Sequence, residues 1–163
     1  MKLYMTQGTT DYLERLRKSC DDEKMHLFTN DFNSLLVHET TGLPVFKEPI
    51  KYEVIHSVGK LDKVGYLILN YIPVTDEGKP IFEFHYKQED HVLLEAVGFE
   101  AYRVLRPAQN NTYVLLTLWE SETAYKDWKK AKSYPHEKDK EKIVTSQPPY
   151  VKTYYTYEGE DKN

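Results

Sequence analysis

The run Tyr66–Val74, YLILNYIPV, constrains this chain more than any other stretch. It is almost continuously apolar, as expected of a strand covered on both faces, and a single polar residue, Asn70, interrupts it. The segments after it have a readable order. Asp76–His91 fits helical spacing through Phe82 and Tyr86, with Thr75 or Asp76 as its cap. Gly98–Arg106 is a strand that Pro107 ends, Gln109–Asn111 is a turn, and Tyr113–Trp119 is the strand paired with it. Ser121 caps a helix running to about Ser133, and Pro149–Glu158 alternates as a final strand before a charged tail. The order β-α-β-β-α-β is the split βαβ, or ferredoxin-like, arrangement of an α+β domain.

The first sixty residues repeat that grammar loosely. Lys2–Thr6 is a strand, and Tyr12, Leu13, Leu16 and Cys20 form a helical stripe. Met25–Thr29, Ser34–Glu39 and Tyr52–Val58 are further strands. Tyr52–Val58 alternates, with Tyr52, Val54, His56 and Val58 on one face and Glu53, Ile55 and Ser57 on the other. The turn-rich joint Gly59–Gly65 divides the chain into 1–62 and 63–163. The first part reads as a degenerate copy of the second, its second helix shrunk to Gly42–Pro49. A ferredoxin-like sheet has one open face, which a fused partner can cover. The expectation is a monomer that imitates a dimer, with two sheets packed into a barrel-like core.

Composition narrows the function. No run approaches the roughly 18 apolar residues a membrane span needs, and the N-terminus lacks the apolar region of a signal peptide. One cysteine, Cys20, makes neither an internal disulfide nor a thiolate metal cage, which points to a reducing, cytoplasmic setting. The net charge of −4 comes without a basic stripe interleaved with aromatics, so no nucleic acid is expected as a partner, and no membrane either. Neither a GxGxxG, a P-loop nor a GxSxG elbow is present.

Three residues stand out. Asn70 reads either as an amide satisfied by a neighbouring backbone or water, or as a donor aimed at a ligand; left unsatisfied and buried it costs roughly 1–3 kcal/mol. Trp128 shares a helix face with Ala124 and Ala131 and reads either as packing of helix on sheet or as a pocket wall, with Tyr125 beside it. His136 follows Pro135 in a charged segment. On one unbroken helix it would be turned by ~80° and raised by ~12 Å from Trp128, so a break at Pro135 is needed if both are to face one ligand. It reads either as an exposed loop histidine or as an imidazole ligand for haem iron. Lys126, Lys129, Lys130, Lys132, Lys138, Lys140 and Lys142 cluster here, as a solvated face or as partners for ligand carboxylates. His85 and Glu89 have i, i+4 spacing, whereas His26, His38, His56 and His91 form no ligand pattern.

LNYIPVTDEGKPIFEFHYK, then GFEAYRVLRP, then TYVLLTLWESETAYKDW resemble the antibiotic biosynthesis monooxygenase fold, and within it the IsdG-like haem-degrading branch. With its extra N-terminal half the chain is similar to the longer bacillus-type haem-degrading monooxygenases and to the staphylococcal target of RNAIII-activating protein group. The resemblance implies that the second half carries a haem site. The family's strand Asn falls on Asn70, near the haem and its oxygen, and its helix Trp on Trp128, which ruffles the ring. The family's axial histidine follows the Trp by ten residues; Lys138 stands there, and His136 is two residues earlier.

The implied activity is oxidative opening of haem with O2 and electrons from an external reductant or reductase, releasing iron. Haem would be both substrate and oxygen activator, His136 its axial ligand, and Asn70 and Trp128 the residues acting on it. A non-catalytic haem-binding or stress-response protein of the same fold, and a cofactor-independent oxygenase of a small aromatic, are the alternatives.

Overall fold

A computed structural model describes residues 1–20, 22–88, 93–131 and 145–159. Its eight strands are β1 (Lys2–Gly8), β2 (Met25–Thr29), β3 (Ser34–Thr40), β4 (Ile50–Gly59), β5 (Tyr66–Pro73), β6 (Phe99–Pro107), β7 (Thr112–Trp119) and β8 (Tyr150–Thr156). The described helices are α1 (Thr10–Ser19), α2 (Lys79–Tyr86) and α3 (Glu122–Ala131). All pairings are antiparallel, and the strands close into a barrel in the order β1-β3-β2-β8-β5-β7-β6-β4. The ring contains two successive ferredoxin-like runs, β4-β1-β3-β2 and β8-β5-β7-β6, each with its own first strand in second place. The expected α+β, ferredoxin-like fold with a barrel-like core is therefore present. The strand order also supports a division into 1–62 and 63–163, which we put forward as a proposal.

Alternation divides each strand between two environments. Leu67, Leu69 and Tyr71 of β5 point into the barrel with Leu116, Leu118, Leu105, Phe28 and Val37. Tyr66 and Ile68 point outward, into a second cluster under α2 and α3. Outside the other half, α1 covers a third cluster through Leu13, together with Tyr4, Leu27, Leu36 and Phe46. Many of the chain's tyrosines are structural. Tyr52, Tyr71 and Tyr154 fill the barrel, and burial pushes the Tyr52 phenol up to about 12 and raises that of Tyr71, so both are neutral at pH 7. At one mouth of the barrel Arg103, 5% exposed, pairs with Glu39 and donates to the Val58 carbonyl at 2.9 Å and the Gly59 carbonyl at 3.0 Å.

Three local expectations are corrected. The β4 alternation breaks: the register with β6 slips between Val54 and His56, leaving Ile55 as an extra residue. Tyr52 and Val54 face the interior, but Ile55 and Val58 pack outside and His56 sits 6.0 Å from the Tyr102 ring. No helix forms over 42–49; Val45 and Phe46 cover the sheet from an irregular segment instead. The second expected helix starts at Lys79 rather than Asp76, because Thr75 accepts a bond from the Gly78 amide at 3.1 Å and closes a turn first. Pro80 then falls in the first helical turn, where its missing N–H costs nothing.

Gly98 sets how closely α3 approaches β6. Its φ is +86°, and a Cβ there would stand 2.6 Å from the Ala124 Cβ. Gly98→Ala is expected to cost about 1–3 kcal/mol in left-handed strain alone. In a chain of this size that lowers the melting temperature by roughly 2–12 °C. A thermal melt followed by circular dichroism checks this, and an unchanged midpoint contradicts the close approach.

Candidate functional site

The outward face of β5 and β7 is the floor of the candidate site. Direct pairing places Tyr66 opposite Trp119, Ile68 opposite Thr117, Asn70 opposite Leu115 and Ile72 opposite Tyr113. Two helices cover this row from its ends. Over one end lies α2, with Phe82 4.5 Å from the Tyr113 ring and the Tyr102 hydroxyl donating to the Tyr86 carbonyl at 3.1 Å. Over the other lies α3, held at its start by Ser121, whose Oγ accepts from the Ala124 amide at 3.1 Å. Trp128 lies 5.1 Å from the Trp119 ring, and Tyr125 lies 5.6 Å from Trp119 and 6.3 Å from Tyr66. Asn70 sits between these two anchorages.

Asn70 is half-buried, and no hydrogen bond joins its amide to a described residue. Its neighbour on the far side, Val151 of β8, is 54% exposed. A groove of about 520 Å³ runs beside it, lined by Tyr66, Val151, Thr153 and Tyr155 and by the turn at 30–33. The amide thus lies on an apolar floor with an opening to one side. Four residues along β5 separate it from Tyr66, roughly 13 Å at the usual strand rise. A flat ring of macrocycle size spans that interval. One further donor lies under α3: the indole N–H of Trp119 is fully buried and meets no acceptor among the described residues.

Asn70 and Trp128 therefore lie over the same sheet face, which is what a planar apolar ligand with one polar contact requires. His136 and Lys138 lie outside the described residues, between Ala131 and Thr145, as do His91 and Glu89. Among the described residues no group of three or more His, Cys, Asp and Glu side chains is placed to hold a metal ion. The described residues of this face are largely apolar around Asn70, and His136, the expected iron ligand, is not among them.

Two features escaped the sequence reading. The first is the aromatic wall of Tyr66 and Trp119 behind Trp128 and Tyr125, whose one-dimensional trace is only the alternation of β7 running into the Ser121 cap. The second is a clamp at the α2 end. Glu83 accepts from Arg106 Nε at 3.0 Å and Nη2 at 2.6 Å, and from the Tyr113 hydroxyl. Residues 23 and 30 positions apart give no sequence signal for such a contact. The Arg106 bonds, helped by Tyr113, hold the Glu83 carboxyl below its ordinary range, while burial of the Tyr113 ring and its bond to Glu83 push the phenol up.

The clamp gives a pH signature. A carboxyl whose folded-state value is depressed adds stability above its unfolded value, about 4.3, and loses it as pH falls through the folded value. Urea unfolding midpoints should therefore fall more steeply below about pH 4.3 in the native chain than in Glu83→Gln. Parallel curves for the two proteins would mean that Glu83 does not anchor α2.

Comparison with known proteins places the chain. Residues 65–136 match the family model for antibiotic biosynthesis monooxygenase. A protein of Listeria monocytogenes named heme-degrading monooxygenase is 31% identical over 130 residues, 80% of this chain and 78% of that protein. A protein of Staphylococcus epidermidis named signal transduction protein TRAP is 26% identical over 129 residues, 79% of this chain and 77% of that one. The crystal structure of a heme-degrading enzyme from Listeria monocytogenes superposes with a TM-score of 0.77 at 26% identity, covering 95% of this chain and 99% of that one.

Proposed function

Because this chain belongs to the antibiotic biosynthesis monooxygenase family, we propose that it is a haem-degrading monooxygenase. The observation that carries this reading is the placing of Asn70 on the same outward sheet face as the Trp119–Trp128 stack, four residues along the strand from it. The relative named heme-degrading monooxygenase, similar over most of both chains, supports it. Haem is the substrate and, when bound, supplies the iron that activates O2; an external reductant supplies electrons.

The chain's own part is to bind, orient and deform. The floor of Ile68, Leu115 and Thr117 gives a flat ligand an apolar seat and excludes water from its lower face. The Asn70 amide donates a hydrogen bond at the ligand's polar centre, where the surrounding apolar residues make that bond count for more than it would in water. Trp128, backed by the fully buried Trp119, is a rigid wall against which a ring is pressed out of plane. His136 is the residue that would hold the iron of bound haem. No helix of the described residues is long and apolar enough to cross a membrane, and the single cysteine suits a reducing interior; a cytoplasmic location is part of the proposal. One chain completes the barrel by itself, which supports a monomer with an internal pseudo-dimer.

A second reading has its own support. The nearest histidine is two residues short of the family's spacing, and relatives named signal transduction protein TRAP match over a similar share of the chain. It is a haem-binding protein of the same fold that does not turn its ligand over.

Haemin added to the purified protein should give a Soret band saturating at one equivalent, which ascorbate then bleaches with release of chelatable iron. A band that persists under ascorbate favours the binder; no saturable band removes both readings. Asn70→Leu should raise the melting temperature, since an apolar side chain replaces an amide that has no partner among the described residues, while slowing bleaching by roughly 10²-fold, the usual loss for one such donor. Stability and rate falling together would make Asn70 a structural residue instead. His136→Ala should shift the Soret band and weaken haem binding, and an unchanged spectrum places the iron ligand elsewhere.

A further inference from the structure

A second concave surface lies on the other side of α3. The groove, of about 510 Å³, runs between the segment 95–97 and α3, and its floor is Ala96, Val97, Ala124, Trp128 and Ala131. Val97 is 88% exposed, and Leu94 beside it is 58% exposed. Small side chains on both walls keep the groove open, and Gly98 lets α3 lie close enough to form its far side.

Its rim has one sign. Glu95, Glu120 and Asp127 line the groove, all three are exposed, and none is in an ion pair with a described residue. Two of the three lysines of α3 are engaged away from the groove: Lys126 bonds Glu122 at 2.8 Å, and Lys129 lies over the Tyr125 ring at 5.8 Å; the third, Lys130, is exposed and does not line the groove. An apolar trough edged by three carboxylates that pair with no described residue repels an anionic ligand, so the groove does not suit haem, whose free edge carries carboxylates. It suits a basic surface with an apolar tip. Opposed charge of this kind raises encounter rates and orients a partner while leaving the complex weak, as a short-lived delivery encounter requires.

Trp128 connects the two sides. It lines the groove and at the same time packs on Trp119 in the wall of the haem site. We propose that this groove docks the basic face of the flavoprotein reductase that serves the haem site, so that reducing equivalents arrive behind Trp128 rather than through the ligand's entrance. The docking forms no covalent bond; each electron gained at the haem site is one lost by the reduced flavin. This inference rests on the haem-degrading reading, but the docking itself is measurable without haem.

The probe is a fluorescently labelled ferredoxin–NADP reductase, a flavoprotein with a basic docking face, titrated with the haem-free protein. The native chain should bind saturably, with affinity falling as salt rises. The triple variant E95K/E120K/D127K should bind at least tenfold more weakly with a flattened salt dependence, whereas Glu48→Lys on the N-terminal half should bind like the native chain. In haem-loaded protein the triple variant should lose reductase-driven bleaching by a similar factor and keep ascorbate-driven bleaching within twofold. Absence of saturable binding by the native chain, equal binding by the triple variant, or equal weakening by Glu48→Lys overturns the proposal. Failure of ascorbate to bleach haem in the native protein defeats the haem reading and leaves the docking result to be judged by itself.

Discussion

Two seams hold the barrel closed, and the rest of the structure depends on them. On one side β4 runs against β6 through seven registered pairs, from Tyr52–Pro107 to Gly59–Ala101. On the other, β2 meets β8 through only two, Phe28–Thr156 and Thr29–Tyr155. Past these pairs Asn30 holds the Thr153 carbonyl through its Nδ2 at 2.9 Å, and on the other side the Tyr157 amide bonds the Leu27 carbonyl at 2.8 Å. Because both seams are made, every strand has two neighbours and no sheet edge is left for another chain to pair with. The inner face of β5 is then covered by side chains of the opposite half, and only its outer face is available for a ligand.

That division explains why the site lies where it does. Inside the barrel the apolar residues interdigitate, and at one mouth a buried Arg103–Glu39 pair takes up the remaining polar groups. Outside, two short helices are anchored at the ends of the β5–β7 row, one by the Glu83–Arg106–Tyr113 clamp and the other by the Ser121 cap and the Trp119 stack. Both anchors lie at the ends of the row, and Asn70 occupies its middle. An amide is tolerated there because the floor is open toward β8, so its desolvation is partial; the same amide facing the barrel interior would meet only hydrocarbon.

Much of this was legible in one dimension, for reasons that also mark where the reading fails. The Tyr66–Val74 run and its single polar interruption could be read directly, because burial on both faces leaves a composition signal that needs no partner. The exchange of faces in β4 could not. YEVIHSV looks like regular alternation with or without an extra residue at Ile55, since Ile55 and His56 are both acceptable on the outer face. The late start of α2 was hidden because Thr75 caps a turn as readily as a helix. Trp128, Ala124 and Ala131 were correctly read as one face, yet the spacing was silent about what that face meets: it borders the acidic groove, while the edge of the indole reaches Trp119. Contacts between distant strands and helices leave no trace in local periodicity, and the Glu83 clamp is of that kind.

The pseudo-symmetry of the barrel raises the question of why the chain would have one site and not two. The outward residues of β1 are Lys2, Tyr4 and Thr6, none of them an amide. The face above them is shut: Leu13 from α1 and Phe46 from the irregular 42–49 segment are buried there, and His38 lies between Tyr4 and Phe46 at ring distances of 6.4 and 6.1 Å. In the first half an irregular segment that inserts an aromatic side chain stands where the second half has a helix. The first half thereby completes the shared interior of the barrel, and the second half, relieved of covering its own inner face, can carry on its outer one an amide that meets no partner among the described residues.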